Sequence, residues 1–330
     1  MEKCSLTAIS RENTIIIKGL AILFILLGHA SYIPYGGIGG VGLFLLISGY
    51  GLNESAKAKG FDGYWVKRIK TVYIPYFFVA LLQLLAFGAE RKLVIVVSLA
   101  GLDLTAGDRV LNIDPTMWYI SYIFFWYLSF YICGKLGQCF KNRRLGSGVK
   151  LLGLFALSLL CRKLYARGLW DPYSNAGLYV WLFPLGVLLS ELSELKVSKT
   201  VRQSFWALLF LVSTAHVFSD YPEHSAYTWL SMPFQLLAAV QLVNIGGFIG
   251  RALRWLGTYS YSIYLMEGMT VMWHSYEWFG NMDNVHLINA VAFAVTMVLA
   301  WLYWEGIYKK LLAKIPLERL AGKRPSVPAE

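Results

Sequence analysis

The sequence predicts an all-α membrane protein, a polytopic bundle of about ten transmembrane helices. Three observations predict it. The chain is 57% hydrophobic and only 15% charged, with a mean hydropathy of +0.53, whereas soluble domains carry about a quarter charged residues. Apolar runs recur along the whole length and leave no stretch for a separate soluble domain. The basic residues gather in short clusters between those runs, the distribution by which membrane chains set their sidedness. The net charge of +11 is therefore assigned to topology and not to nucleic acid.

The first span, 14–33, contains Lys18 and runs into Pro34 and glycines, so it reads as a retained helix and not as a cleaved leader. The second, 38–53, begins within the glycine-rich GGIGGVG and stops before Lys57. The third, 72–88, emerges from a basic loop ending in "WVKRIKTVYIPY". The apolar piece LVIVVSLAGLDL at 93–104 is too short for a confident crossing and is read as non-crossing or re-entrant. The aromatic run MWYISYIFFWYLSFY opens the span 117–135, and spans follow at 149–166, 177–191, 204–219, 228–246, 257–274 and 286–308. With 93–104 not crossing, the clusters around Lys57–Lys70, Lys135–Lys150, Lys196–Arg202 and Arg251/Arg254 and the basic tail 309–330 all fall on the cytoplasmic side. Both termini are then cytoplasmic, and 1–330 forms one integral-membrane domain. Arg162, Lys163 and Arg167 are the exceptions, near the outer end of their span. The cysteines Cys4, Cys133, Cys139 and Cys161 show neither metal spacing nor a disulfide framework.

Within the first span, KGLAILFILLGHA places Lys18 and His29 in otherwise apolar helix. Eleven residues at 100° each bring the two side chains within about 20° on one stripe, about 16.5 Å apart along the axis. A charge at bilayer depth costs a few kcal/mol and marks a functional candidate. A snorkelling lysine and a hydrogen-bonded bundle histidine are the plainer readings, but neither accounts for the shared stripe.

Further segments follow in order: VGLFLLISGYGL at 41–52, WVKRIKTVYIPY at 65–76 and LGTYSYSIYLMEG at 256–268. Together with KGLAILFILLGH they resemble the integral-membrane acyltransferase-3 family, and MWYISYIFFWYLSFY looks like its Trp-led middle helix, here beginning near Trp118. The sequence departs from the family pattern in places. Lys18 stands for the usual arginine, Thr71 for the second arginine of an Arg-x-x-Arg pair begun by Arg68, and Glu267 for a frequent histidine. The middle helix lacks the glutamate of some branches, so the chain reads as a divergent member.

The resemblance implies an O-acyltransferase of the cell envelope. It would carry an acyl group, by default acetyl, from cytoplasmic acetyl-CoA to a hydroxyl of a cell-surface polysaccharide, other glycan or glycolipid. It implies His29 as general base or acyl carrier and Glu267 as a partner that orients His29 or acts on the acceptor. A buried, hydrogen-bonded core glutamate is the plainer reading of Glu267. Lys18, Lys67, Arg68 and Lys70 are the CoA phosphate candidates; Ser48 and Tyr50 line the donor channel or simply pack. Arg162, Lys163 and Arg167, with Tyr165, Trp170 and Trp118, are acceptor candidates, because cations beside aromatic faces suit sugars and phosphates. His216 and His274 are weaker ones. Tyr259, Tyr261 and Tyr264 read as core or interface residues.

GGIGGVG contains a formal G-x-G-x-x-G, but no strand or βαβ unit surrounds it, so it reads as an external turn with close helix packing. No metal-site pattern is present, and the expected partners are acyl-CoA, the acceptor glycan and the bilayer. A transporter or exporter on the same bundle is the alternative class, and a structural scaffold the third. The alignment of Lys18 with His29 beside a phosphate-friendly segment favours the enzyme.

Overall fold

The computed structural model describes residues 3–87, 92–102, 114–169, 176–220, 226–273 and 284–316. It is almost entirely helical: α1 Arg11–His29, α2 Gly36–Lys59, α3 Tyr64–Arg68, α4 Ile74–Phe87, α5 Lys92–Ala100, α6 Trp118–Gln138, α7 Arg143–Ala166, α8 Leu182–Leu192, α9 Lys199–Ser219, α10 Ala226–Leu242, α11 Gly247–Glu267 and α12 Val285–Leu302. The only sheet among the described residues is a ribbon of β1 Lys3–Ser5 and β2 Lys196–Ser198, paired antiparallel with Cys4 opposite Val197.

Among the described residues, six helical rods are long and apolar enough to cross a membrane: Arg11–His29, Gly36–Lys59, Tyr64–Ala86, Arg143–Ala166, Lys199–Ser219 and Val285–Tyr308. Ala176–Leu192 is a shorter apolar stretch. Helix α6 matches them in length, but its tyrosines, tryptophans and serines lower its apolarity. Helix α5 has nine residues, about 13.5 Å of rise against a hydrocarbon core of about 30 Å. The rest of the predicted 93–104 piece, from 103 on, lies outside the described residues.

The chain divides into two compact units, one of residues 1–58 and 122–260 and the other of 59–121 and 261–330. In the first, Ser10 caps α1 by accepting from the Asn13 N–H at 3.0 Å. Helix α1 meets the middle of α11 through a reciprocal pair of glycines. A Cβ on Gly19 would lie 1.9 Å from the Leu253 carbonyl oxygen, and one on Gly257 1.9 Å from that of Ile15. Only hydrogen fits there, so the two backbones touch. An N-terminal arm precedes α1 and is stitched to the end of α8, with the Thr7 hydroxyl donating to the Leu189 carbonyl at 2.7 Å.

Here two expectations are corrected. GGIGGVG is not a turn: Gly36 already begins α2, and the chain reverses in 30–35, where Ser31 and Tyr35 take positive φ. The close packing expected of these glycines holds, since Gly36 lies against the Phe24 carbonyl of α1. Likewise the basic segment is not a loop up to residue 71 but helix from Tyr64 onward.

In the second unit, α3 runs into α4 through a π-helical stretch, Ile69–Tyr73. Pro75 explains the widening: it has no N–H for the Thr71 carbonyl, and the ladder slips by one residue just before it. Tyrosines take up carbonyls around this point. Tyr261 donates to Val72 at 2.7 Å and Tyr303 to Pro75 at 2.9 Å. Tyr73 donates to Leu99 at the end of α5 at 2.8 Å, and Tyr76 to Ser98. Tyr261 is therefore a structural donor.

Candidate active site

Lys18 and His29 lie on one unbroken helix, α1, with His29 its last helical residue. Between them, Ile22 and Ile25 occupy the same stripe, four and seven positions beyond Lys18. Both isoleucines are buried, while Lys18 and His29 are half-buried. The stripe therefore faces protein, not lipid. The carbonyl end of a helix also favours positive charge.

Ser48 and Tyr50 flank a second glycine contact. A Cβ on Gly49 would lie 2.2 Å from the Phe183 carbonyl oxygen, and one on Gly186 2.0 Å from that of Leu46, so α2 and α8 touch along this line. The Tyr50 hydroxyl accepts the Ile9 N–H at 3.1 Å, which gives Tyr50 a structural task in holding the N-terminal arm. Ser48 is half-buried.

The second unit holds Lys67, Arg68, Lys70, Trp118 and Glu267. Lys67 is exposed and Arg68 and Lys70 are half-buried at the head of the α3–α4 rod. The Arg68 guanidinium lies 5.7 Å from the Tyr64 ring centre, where the aromatic face fixes it. Thr71 turns back, its hydroxyl donating to the Lys67 carbonyl at 2.7 Å, so it does not supply what a second arginine would. Trp118 is half-buried and meets Tyr119 edge to face.

Glu267 is fully buried, and the structure surrounds it with groups that the sequence reading passed over. Asp114, also buried, interacts electrostatically with it. One Asp114 oxygen accepts from the Thr116 N–H at 2.9 Å and hydroxyl at 2.7 Å; the other accepts from the Gln83 amide at 3.0 Å. Tyr264 donates to the Thr116 carbonyl at 2.7 Å. Burial raises the Asp114 carboxyl above its ordinary value against the pull of these hydrogen bonds, and the Glu267 charge adds to the rise. A helix-start signal was available at Asp114, an N-cap aspartate followed by Pro115, but nothing in the sequence joined it to Glu267.

Gly268 makes this arrangement possible. A Cβ there would lie 2.1 and 2.2 Å from the two Asp114 carboxylate oxygens. Gly268→Ala is therefore expected to displace the carboxyl from its three donors and to cost about 1–3 kcal/mol. Thermal unfolding of the purified variant checks this; an unchanged midpoint would show that the cluster yields freely.

Lys163 lies in the last turn of α7, Arg162 just before it, and Arg167 is its C-cap. The Arg162 guanidinium sits 5.5 Å from the Tyr165 ring centre. Cations here also oppose the helix dipole favourably, a local reason for their presence. His216 is exposed in the last turn of α9, whereas Trp170 and His274 lie outside the described residues. Among the described residues no three His, Cys, Asp or Glu side chains converge as a metal site.

Residues 14–305 match the family model described as an acyltransferase domain. No curated protein and no solved structure matches the chain.

Proposed function

The chain belongs to the acyltransferase-3 family, whose model spans residues 14–305, and on that premise we propose that it O-acylates a cell-surface glycan or glycolipid. The donor is acyl-CoA, most simply acetyl-CoA, supplied from the cytoplasm. The observation that carries the reading is the family match combined with a helix that bears Lys18 and His29 on one protein-facing stripe.

Neutral His29 acts in one of two ways. As a base it takes the acceptor hydroxyl proton while the oxygen attacks the thioester carbonyl, and the imidazolium returns the proton to the departing CoA thiolate. As a carrier its own nitrogen attacks the thioester, CoA leaves, and the acyl-imidazole passes the group to the hydroxyl. Lys67, Arg68 and Lys70 take CoA phosphates, and Lys18 is the phosphate-side charge of α1. Glu267 with Asp114 handles a proton on the acceptor side. Arg162, Lys163 and Arg167, with Trp118, are the acceptor contacts we propose. We read ten crossings with both termini cytoplasmic: the six apolar rods, helices α6 and α10, the stretch Ala176–Leu192 and the helical run 247–273.

Membranes containing the protein, given acetyl-CoA labelled in its acetyl group, should move label into the glycan or lipid-linked fraction. Arg68→Ala should raise the KM for acetyl-CoA about 10- to 100-fold, since a charge-assisted hydrogen bond contributes about 1.5–3 kcal/mol. Label that stays in CoA with wild-type protein would overturn the proposed activity, and an unchanged KM would remove Arg68 from the donor site.

A further inference from the structure

The first unit carries an open recess, lined by basic, amide and apolar side chains, that the proposed chemistry does not use. It has a volume of about 480 Å³ and lies at the N-terminal end of α9 and the C-terminal end of α10, with Lys199, Arg202, Gln203, Trp206 and Gln241 on its walls. Four features there favour an anion. The first is charge, from Lys199 and Arg202. The second is the start of the 21-residue helix α9, whose first-turn N–H groups carry partial positive charge.

The third feature is unmet hydrogen bonding. Trp206 is 1% exposed, yet its indole N–H has no acceptor among the described residues. An indole nitrogen can only donate, and a buried donor left unpaired costs about 1–3 kcal/mol. The fourth is Gln241. Its carbonyl oxygen accepts from Arg202 at 3.4 Å, but its buried amide nitrogen has no acceptor. Two unmet donors thus belong to the walls of one basic cavity, and a ligand bearing several acceptor oxygens is what they lack.

A phosphate group supplies such oxygens. The surroundings indicate which kind. Val201, Leu208, Leu211 and Val212 are exposed on α9, and Leu242, itself part of the cavity wall, is exposed too. A charged recess bordered by lipid-facing apolar surface fits an amphiphile with an anionic head and acyl tails. Lys196, Lys199 and Arg202 gather at this end of α9, which the positive-inside rule assigns to the cytoplasmic leaflet, where anionic lipids reside.

We infer that this cavity binds the phosphate headgroup of an anionic phospholipid, with Lys199 and Arg202 neutralising its charge and Trp206 and Gln241 donating to its oxygens. None of the residues named for acyl transfer is among those that line it, so its test does not depend on an acceptor or on activity.

The full-length protein in detergent is titrated with phosphatidylglycerol, phosphatidylcholine or inorganic phosphate. Bound lipid is counted by native mass spectrometry, and the shift of the unfolding midpoint is read against each protein's own lipid-free value. Wild type should bind phosphatidylglycerol in preference to phosphatidylcholine and gain stability from it. Trp206→Phe, which keeps the ring and removes the donor, should weaken that binding about 5-fold. Lys199→Gln should do so by a similar factor. Phosphatidylglycerol binding unchanged in both variants overturns the inference, as does equal binding of phosphatidylcholine. Equal protection by inorganic phosphate overturns the lipid assignment, leaving a free-phosphate site. The comparison within each variant keeps the result readable even where a substitution lowers baseline stability.

Discussion

His29→Ala is expected to abolish acyl transfer in practice, with a fall in kcat of at least about 10²–10⁴-fold, the usual contribution of a general base. The protein should remain folded. His29 is half-buried in the last turn of α1, while the contacts that anchor that helix lie earlier, at Ile16, Ile17, Ile22 and Ile25 and at the Gly19–Gly257 crossing. Acetyl-CoA binding should therefore survive, so kcat collapses while donor affinity holds. Protein that keeps His29 separates the two roles left open for the imidazole, with His29→Ala as the blank. With acceptor withheld, a carrier histidine accumulates acyl-enzyme that mass spectrometry finds on the peptide containing His29, whereas a base leaves the peptide unmodified. Near-normal turnover in His29→Ala would remove the residue from the chemistry altogether.

The stripe behind this prediction was legible in the sequence because helix periodicity converts spacing into direction. Its orientation was not. That Lys18 and His29 face protein follows from the burial of Ile22 and Ile25 between them, and a run of apolar residues reads the same whether it faces lipid or protein. The glycines of GGIGGVG misled for a related reason. In water such a string favours a turn, but in an apolar setting backbone groups find partners only within a helix, and missing side chains let α2 approach α1. The basic segment before Pro75 was read as a loop because of its charge, although lysines and arginines form good helix. Asp114 escaped notice since Gln83, Asp114 and Glu267 come from three distant stretches, and no periodicity links them. The family resemblance supplied roles for single residues but not the contacts between them.

Lys150 shows the same limit and carries the other large effect. In the sequence it belongs to a basic cluster that sets topology. In the structure it points into the first unit, where its ammonium donates to the Asn53 side-chain oxygen at 2.5 Å and to Glu191 at 2.7 Å. The Asn53 amide donates in turn to Ser190 at 2.9 Å and to Glu191 at 2.7 Å. The Lys150 and Glu191 side chains are only 11% and 15% exposed, so this pair joins α7 and α8 in a poorly hydrated place, with Asn53 of α2 bridging both. Glu191→Ala removes the only carboxylate that Lys150 contacts among the described residues and leaves an ammonium with an amide oxygen for company. The expected cost is about 3–5 kcal/mol, the range for breaking one side of a buried ion pair. Replacing both members, Lys150→Met with Glu191→Leu, removes the stranded charge as well as the pair. The double variant should therefore be more stable than Glu191→Ala alone and can approach wild type. Detergent-titration unfolding of wild type, Glu191→Ala and the double variant measures this order of stability. A Glu191→Ala protein within about 1 kcal/mol of wild type would place the pair among the weak surface bridges and withdraw its role in joining α2, α7 and α8.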